Sequence, residues 1–533
     1  MMHPAPNARE TILKWLQPLI LALPSAWLLL TIHPFWRDSD AYIQVTMPPG
    51  PVTILLYSPI YCFGARVPLY LGCAYEALMG GGSLPSLGFF KSPILTDSGV
   101  LLLIALQHAF LLGAQLFLLR SIVATNLTRS IFAVGLASIA PFYTYNHCVG
   151  VEALSVSSSL LLIGVVLRIA RRRRVKRSEW LWFGLSLALC ILMRRVNTVL
   201  AALLPTMFLL QALALATQGY FHRSRARFPR RTIQRGLGLC GLSLVVAFLS
   251  VAVAERSSRY ACRAAKIKYR SMVGPTFVWR LNFLANLDED ERAALLSRLE
   301  TRTTDPAVQR MIAATPAGIL APREWDPGPL INRSIEIMEQ SGIKTDYAYH
   351  LDFYTNRLAS VFLRSFEPPF LRAVRADFIS SFNYSVRDLA TYPILTTRYS
   401  LAKISEMPQL AKLATFRGNS ADTTLRAQEQ LIYFRLIDLR FRNLLIVWAI
   451  LIAVALVVKT GRSIIIPSMV LVATGVMMVL LTCSLTYLLP RFVLPFWVCY
   501  VAAVLLPLGS IVDAIGRRRL RLQGAPGRTS WNS

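Results

Sequence analysis

Two carboxylates one residue apart, Asp38 and Asp40, stand in the stretch His33-Pro34-Phe35-Trp36-Arg37-Asp38-Ser39-Asp40-Ala41-Tyr42. In an extended or turn conformation they point to the same side. Carboxylates that close bind a cation, drive one pKa upward to make a base, or simply face water. Other ionisable groups stand where apolar runs end: His147, Glu152, Arg194 and Arg195 beside Asn197, and Arg491 in Tyr487-Leu488-Leu489-Pro490-Arg491-Phe492. A planar guanidinium suits a pair of phosphoryl oxygens, and a histidine can serve as acid, base or metal ligand. Plainer roles compete: an ion pair between Glu152 and the Arg194-Arg195 pair, snorkelling of Arg491, and histidines that do neither.

These groups need elements to hold them. The chain has 533 residues, 54% hydrophobic and only 16% charged. Its repeated apolar runs reach membrane-spanning length, which makes a multi-pass helical membrane protein the economical architecture. The formal charge of +29 would suggest nucleic acid were it not concentrated in short basic links. These are Arg171-Arg172-Arg173-Arg174-Val175-Lys176-Arg177, the stretch Arg223 to Arg235, and Arg517-Arg518-Arg519. Such clusters set membrane orientation and touch anionic lipid, so no nucleic-acid partner is expected.

Apolar runs oriented by Lys and Arg give about ten spans, with both termini cytoplasmic in the plasma (inner) membrane. The first occupies about 15–32, and Pro24-Ser25-Ala26 does not end it, so an uncleaved span is expected rather than a signal peptide. Residues 33–97 form a first outer loop carrying the acidic pair, with short interfacial helices suggested by Val52 to Leu56 and Val67 to Leu71. Further spans lie near 99–119, 130–145, 151–169, 179–193, 197–216 and 236–254, then near 443–458, 464–488 and 492–513. Four segments result: 1–255 as an N-terminal membrane module, 256–441 as an extracytoplasmic helical domain, 442–516 as a C-terminal membrane module, and 517–533 as a basic cytoplasmic tail.

Within 256–441, Asp288 and Asp305-Pro306 predict helix starts, Ile331 to Gln340 has helical spacing before Gly342, and Tyr347 to Phe366 ends at Pro368-Pro369. From Thr424 an amphipathic pattern runs into the eighth span. The eight cysteines show no zinc spacing; Cys62 and Cys73, in one outer loop, are candidates for a disulfide.

Taken together, these motifs resemble the GT-C superfamily of polytopic glycosyltransferases. The resemblance rests on Asp-x-Asp after the first span, Glu152 in Val149-Gly150-Val151-Glu152, Gly184-Leu185-Ser186-Leu187 leading to Arg194-Arg195-Val196-Asn197, and Tyr487-x-x-Pro490-Arg491-Phe492. The layout is similar to that of protein O-mannosyltransferases and lipid A aminoarabinose transferases, which use polyprenyl-phosphate sugars. It departs from them in Asp-Ser-Asp where the mannosyltransferases have Asp-Glu, and in an insert before the eighth span unlike a β-trefoil.

The resemblance implies an all-α bundle and transfer of a sugar from a polyprenyl-phosphate donor to a glycan, lipid or protein acceptor of the cell envelope. It implies Asp38 or Asp40 as general base, Arg491 with Arg194 or Arg195 on the donor phosphate, and Glu152, His147, Asn197 and Tyr42 orienting the acceptor. A divalent metal, magnesium or manganese, at Asp38 and Asp40 is the one cofactor it allows, and metal independence is favoured. The competing assignments are a lipid or sugar transporter, and an O-antigen polymerase or ligase acting on lipid diphosphates through Arg357, Arg364 and His350.

Overall fold

The computed structural model describes residues 8–36, 39–81, 88, 91–122, 125–172, 174–221, 230–342, 347–420, 439–458 and 462–522. Among these, seven helices are long and apolar enough to cross a bilayer: Glu10–Thr31, Asp97–Ile122, Val151–Arg171, Arg195–Thr217, Thr232–Ala264, Ile464–Leu485 and Pro490–Ile515. The chain is a multi-pass helical membrane protein.

The other three expected spans differ for local reasons. The one near 130–145 is split into α6 (Asn126–Ala137) and α7 (Ala140–Asn146), because Pro141 cannot continue a helix and instead sits in the first turn of the next. Helix α9 (Arg177–Met193) and the apolar helix Phe441–Val457 have 17 residues each, at the short end of the spanning range.

Helix α8 (Val151–Arg171) is at the centre of the packing. It lies against α5 (Asp97–Ile122) and α9, and the C-terminal helix Pro490–Leu522 packs on α8 and on the penultimate helix Arg462–Leu485. Ser155, Ser157, Ser158 and Ser159 are buried on α8, and such small side chains let neighbouring backbones approach. Ser468 Oγ accepts from Trp448 Nε1 at 2.8 Å and donates to the Ala503 carbonyl at 2.7 Å, tying the last three helices together. By contrast, Leu244, Val245, Phe248 and Leu249 of α11 (Arg230–Ala264) are exposed, as suits a lipid-facing surface.

The two ends of the bundle differ in character. At one end, the carboxylate of Glu179 takes Arg168 at 3.2 Å and also Arg172, while Arg171 donates to the last carbonyls of α5 at Ser121 (2.9 Å) and Ile122 (2.6 Å). At the opposite end of α8 lie Glu152, the acidic turn and the helices of the 273–420 region.

After α1 (Ala8–Thr31) the chain forms β1 (Phe35–Trp36), α2 (Ser39–Thr46), a π-helical turn over Pro51–Tyr57, α3 (Pro59–Gly64) and α4 (Arg66–Met79). Val67, Leu71, Tyr75 and Leu78 make an exposed apolar stripe along α4, the geometry of an interfacial helix. The other face of α4 meets α5 so closely that a Cβ on Gly72 would lie 2.1 Å from the Gly99 amide nitrogen. Cys62 and Cys73 are both free and buried. They sit on different helices, and Cys62 packs into a cluster with Ile54, Leu55 and Cys262, so the two candidates are not bonded to each other.

Beyond α11 come α12 (Val273–Val278), α13 (Glu289–Thr301), α14 (Pro306–Ala314), α15 (Gly328–Gln340), α16 (Tyr347–Ser365), α17 (Pro368–Ser381), α18 (Val386–Ala402) and α19 (Ala414–Arg417). Asp288 accepts from the Glu291 amide at 2.7 Å and Asp305 from the Ala307 amide at 3.0 Å, capping α13 and α14. Pro368-Pro369 opens α17 as well as closing off α16. The stretch from Thr424 to residue 438 lies outside the described residues.

Among the described residues there are two short strand pairs, antiparallel β3 (Ile319–Ala321) with β4 (Glu324–Trp325), and parallel β1 with β2 (Cys148–Val149). The second of these builds the site.

Candidate functional site

Phe35 pairs with Cys148 and Trp36 with Val149, so the chain leaving α1 runs alongside the chain about to start α8. The Phe35 amide donates to the His147 carbonyl at 2.9 Å. This two-residue ladder carries the acidic turn to the head of α8, where Glu152 lies buried in the first turn. Asp38 lies outside the described residues. Asp40 stands in the first turn of α2, where a carboxylate is favoured by the helix dipole.

The start of α8 is held by neighbours rather than by its own cap. Gly150 adopts φ 157° and ψ 155°, a region essentially reserved for glycine. Its amide donates to Tyr61 Oη at 2.8 Å, and the next amide, Val151, donates to Gln44 Oε1 at 3.2 Å. Gln44 is on α2, so the helix bearing Asp40 is fastened to the helix bearing Glu152.

Pro490 sets Arg491 in the first turn of the C-terminal helix. Arg491 Nη1 lies 3.5 Å from Asp40 Oδ2, joining side chains 451 residues apart. The Arg491 side chain is only 11% exposed, whereas Asp40 is 33% exposed. Arg194, at the end of α9, donates from Nη1 to the Arg491 carbonyl at 3.4 Å. Both guanidinium groups lie over the ring of Phe492, at 5.5 Å for Arg194 and 4.9 Å for Arg491. An aromatic face stabilises cations through the ring quadrupole. Tyr145, buried at the end of α7, is within electrostatic reach of Glu152, Arg491 and Tyr392.

The structure therefore brings together Asp40, Arg491 and Arg194, with Glu152 on the adjoining helix end. Other expected residues do different work. Arg195 turns away to the Ser271 carbonyl (2.5 Å), to Tyr269 Oη (3.1 Å) and to the Tyr269 ring. Tyr269 in turn donates to Glu255 at 2.6 Å; burial, with this acceptor beside it, pushes its phenol up to about 12, so it stays protonated. His147 is fully buried, with Nε2 3.0 Å from the Ile32 carbonyl and Nδ1 3.2 Å from His108. Burial pushes His147 down to about 4, so it is a neutral joint between α1, α5 and the strand pair. Asn197, also buried, donates to the Cys190 carbonyl at 2.8 Å and to Ser155 at 3.2 Å, closing the end of α9 onto α8. Tyr42 Oη accepts from the Gln409 amide at 3.4 Å.

Sequence reasoning missed the cover of this site. Helix α18 packs on β1 and α7: Thr397 Oγ1 accepts from the Trp36 amide at 2.9 Å, and Tyr392 lies by Tyr145. Phe416 meets the Trp36 ring edge-on at 6.2 Å, and Asn419 donates to the Pro34 carbonyl at 3.0 Å. No local pattern in 386–420 signals this, because the contacts are fixed by partners far away in the sequence, 361 positions for Trp36 and 385 for Pro34. Phe492 was visible beside Arg491 in the sequence, but its role as a shared platform was not.

Among the described residues, no group of three His, Cys, Asp or Glu side chains converges as a metal site. Asp40 faces a guanidinium, and Asp38, the other half of the expected metal pair, lies outside the described residues.

No family model matches the chain, and no curated protein matches it. Among solved structures, it is similar to the archaeal oligosaccharyltransferase AglB from Archaeoglobus fulgidus, determined with an inhibitory peptide and a dolichol-phosphate. The identity is 10%, the TM-score 0.38, and the match covers 98% of this chain and 53% of that one. The chain thus spans about half the length of that enzyme. So distant a likeness carries no argument about activity. Fold and site by themselves define a multi-pass helical membrane protein with an acidic–basic cluster at one end of its bundle.

Proposed function

We propose that the chain is a membrane glycosyltransferase of the GT-C kind, moving a sugar from a polyprenyl-phosphate donor to an acceptor at the extracytoplasmic face. The observation that supports this is the convergence of Asp40 with Arg491 and Arg194 on the Phe492 ring. Arg491 and Arg194 bind the lipid phosphate, and the polyprenyl tail remains in the bilayer beside the apolar face of α4. Asp40, or Asp38 next to it, takes the proton from an acceptor hydroxyl or amine.

The acceptor atom attacks the anomeric carbon as the bond from that carbon to the phosphate oxygen breaks. The electron pair leaves with the phosphate, which departs as an anion and needs stabilisation rather than a proton. Glu152 and Tyr145 orient the acceptor. Arg195, His147 and Asn197 hold the framework, and no step runs through a metal. Arg357, one of the three residues offered for a polymerase or ligase beside Arg364 and His350, pairs with Asp305 and stacks on Phe353 at 4.2 Å, which favours a structural role for it.

The test uses full-length protein in nanodiscs, with binding of undecaprenyl phosphate and of dolichyl phosphate read by native mass spectrometry. R491A should weaken binding of at least one by about tenfold or more. D40N should retain binding yet lower transfer of radiolabelled sugar from membrane-derived lipid donors by about 10²–10³. Binding of neither lipid, or binding indifferent to R491A and R194A, overturns the proposal.

A further inference from the structure

A second constellation lies away from the Asp40–Arg491 cluster, between the 3-10 segment Trp279–Asn286 and α17. It is a cavity of about 260 Å³ lined by Arg280, Asn282, Phe283, Pro369, Arg372 and Asp377, among others. Arg280 is 1% exposed, and its Nη1 donates to Asp377. Its Nε and Nη2 are buried with no hydrogen-bond partner among the described residues, and the same holds for Asn282 Oδ1. Arg372, at the exposed rim, is paired with Glu291.

An arginine this deeply buried normally has its donors engaged, because an unmet charged donor loses its hydration without compensation. Here Asp377 engages one nitrogen only. The two left over, Nε and Nη2, form one edge of the guanidinium, the parallel pair that fits two oxygens of a carboxylate or phosphate. Asn282 Oδ1 supplies an acceptor nearby, and Asp377 a negative charge on the same wall. Phe283, Pro369 and neighbouring apolar atoms close the rest. The volume lies below the range for drug-sized ligands, which limits the occupant to a headgroup or a single small molecule.

We propose that this cavity binds a small oxyanion, a carboxylate or phosphate whose neighbouring atoms carry a hydroxyl or ammonium group. The anion meets the Nε–Nη2 edge of Arg280, and the donor meets Asn282 or Asp377. This proposal is independent of the transferase reading. The ligand can arrive from water or from lipid, since Trp279 at the cavity's flank meets Tyr487 at 5.8 Å, two residues beyond the span Ile464–Leu485.

The experiment titrates glycerol 3-phosphate and inorganic phosphate into full-length protein in phosphatidylcholine nanodiscs, and repeats the melting measurement in nanodiscs doped with phosphatidic acid. Saturable binding of a soluble phosphate is expected, weakened at least about tenfold by N282A and by A373L, which puts extra side-chain volume into the cavity from α17. If only phosphatidic acid raises the melting temperature, and A373L and N282A cancel the rise, the proposal stands with lipid as the source. R280Q should abolish either effect; should it fail to fold, N282A and A373L decide between the outcomes. No saturable response to any of the three, or a response that A373L and N282A leave within about twofold, overturns it.

Discussion

Each end of the bundle gathers arginines around a carboxylate, and the two gatherings are built on opposite plans. At the basic end, Glu179 is buried and takes Arg168 and Arg172 from across one short link, while Arg171 closes the last turn of α5. Every participant sits where a helix ends, and each interaction completes a helix or a loop. At the other end, Asp40 and Arg491 are 451 residues apart and come from the first turns of two helices that are not neighbours in sequence. The strand pair β1–β2, the Gln44 and Tyr61 contacts to the head of α8, and the cover from α18 all serve to bring them together. Structure built by neighbours in sequence looks like architecture; structure built at such distance for a half-exposed pair looks like a site.

The sharpest way to break this comparison is to remove charge at each end and measure both activity and stability. D40N and R491A should each cost about 10²–10³ in transfer rate, the magnitude of losing a base or a charge stabiliser. Their thermal stability should change by no more than about 1 kcal/mol, as expected for a partly exposed pair. E179Q should do the reverse. It should lower stability by about 1–3 kcal/mol, a buried-pair loss discounted for its half-exposed arginines, with the rate per folded molecule unchanged. If E179Q were to abolish transfer while D40N did not, the assignment of the two ends would be inverted.

Next in size is G150A, which forces a Cβ into a backbone region costing about 1–3 kcal/mol. It should lower the melting temperature and, by tilting the head of α8, lower transfer as well. The neighbouring arginines offer a finer test. R194A should weaken polyprenyl-phosphate binding about tenfold. R195A should leave that binding alone and instead increase hydrogen exchange at 269–271, where its guanidinium is held.

A test by pH concerns His147. Its folded-state pKa, near 4, lies below the ordinary 6.5, so between those values the unfolded chain binds a proton that the folded chain refuses. Stability should therefore fall as pH drops through that window, by at most about 1.4 kcal/mol per pH unit from this group. H147Q should flatten melting profiles measured from pH 7 to pH 4; an unchanged slope would remove His147 from the buried framework.

Much of this was legible in the chain. Apolar run length marks membrane helices because 1.5 Å of rise per residue must span a fixed thickness, and the Asp288 and Asp305 caps act within three residues. Arg491, Arg194 and Asp40 were identifiable because charge at the end of an apolar run needs a reason. What periodicity could not supply was partner choice. Arg194 and Arg195 are adjacent and chemically identical, yet one lies over Phe492 and the other over Tyr269. The rotation of the chain where α9 gives way to a 3-10 turn decides between them.

The sequence by itself determined that the protein crosses a membrane many times, where capped helices such as α13 and α14 begin, and which few side chains pay a penalty for their position. These follow from local chemistry: hydrophobic length, caps, proline and glycine. Only the tertiary structure decided that His147 is a buried joint, that the cysteines stay free, and that α18 lies over the acidic turn. Those outcomes depend on which distant surfaces exclude water from one another, a property of the assembled bundle that no short window of residues contains.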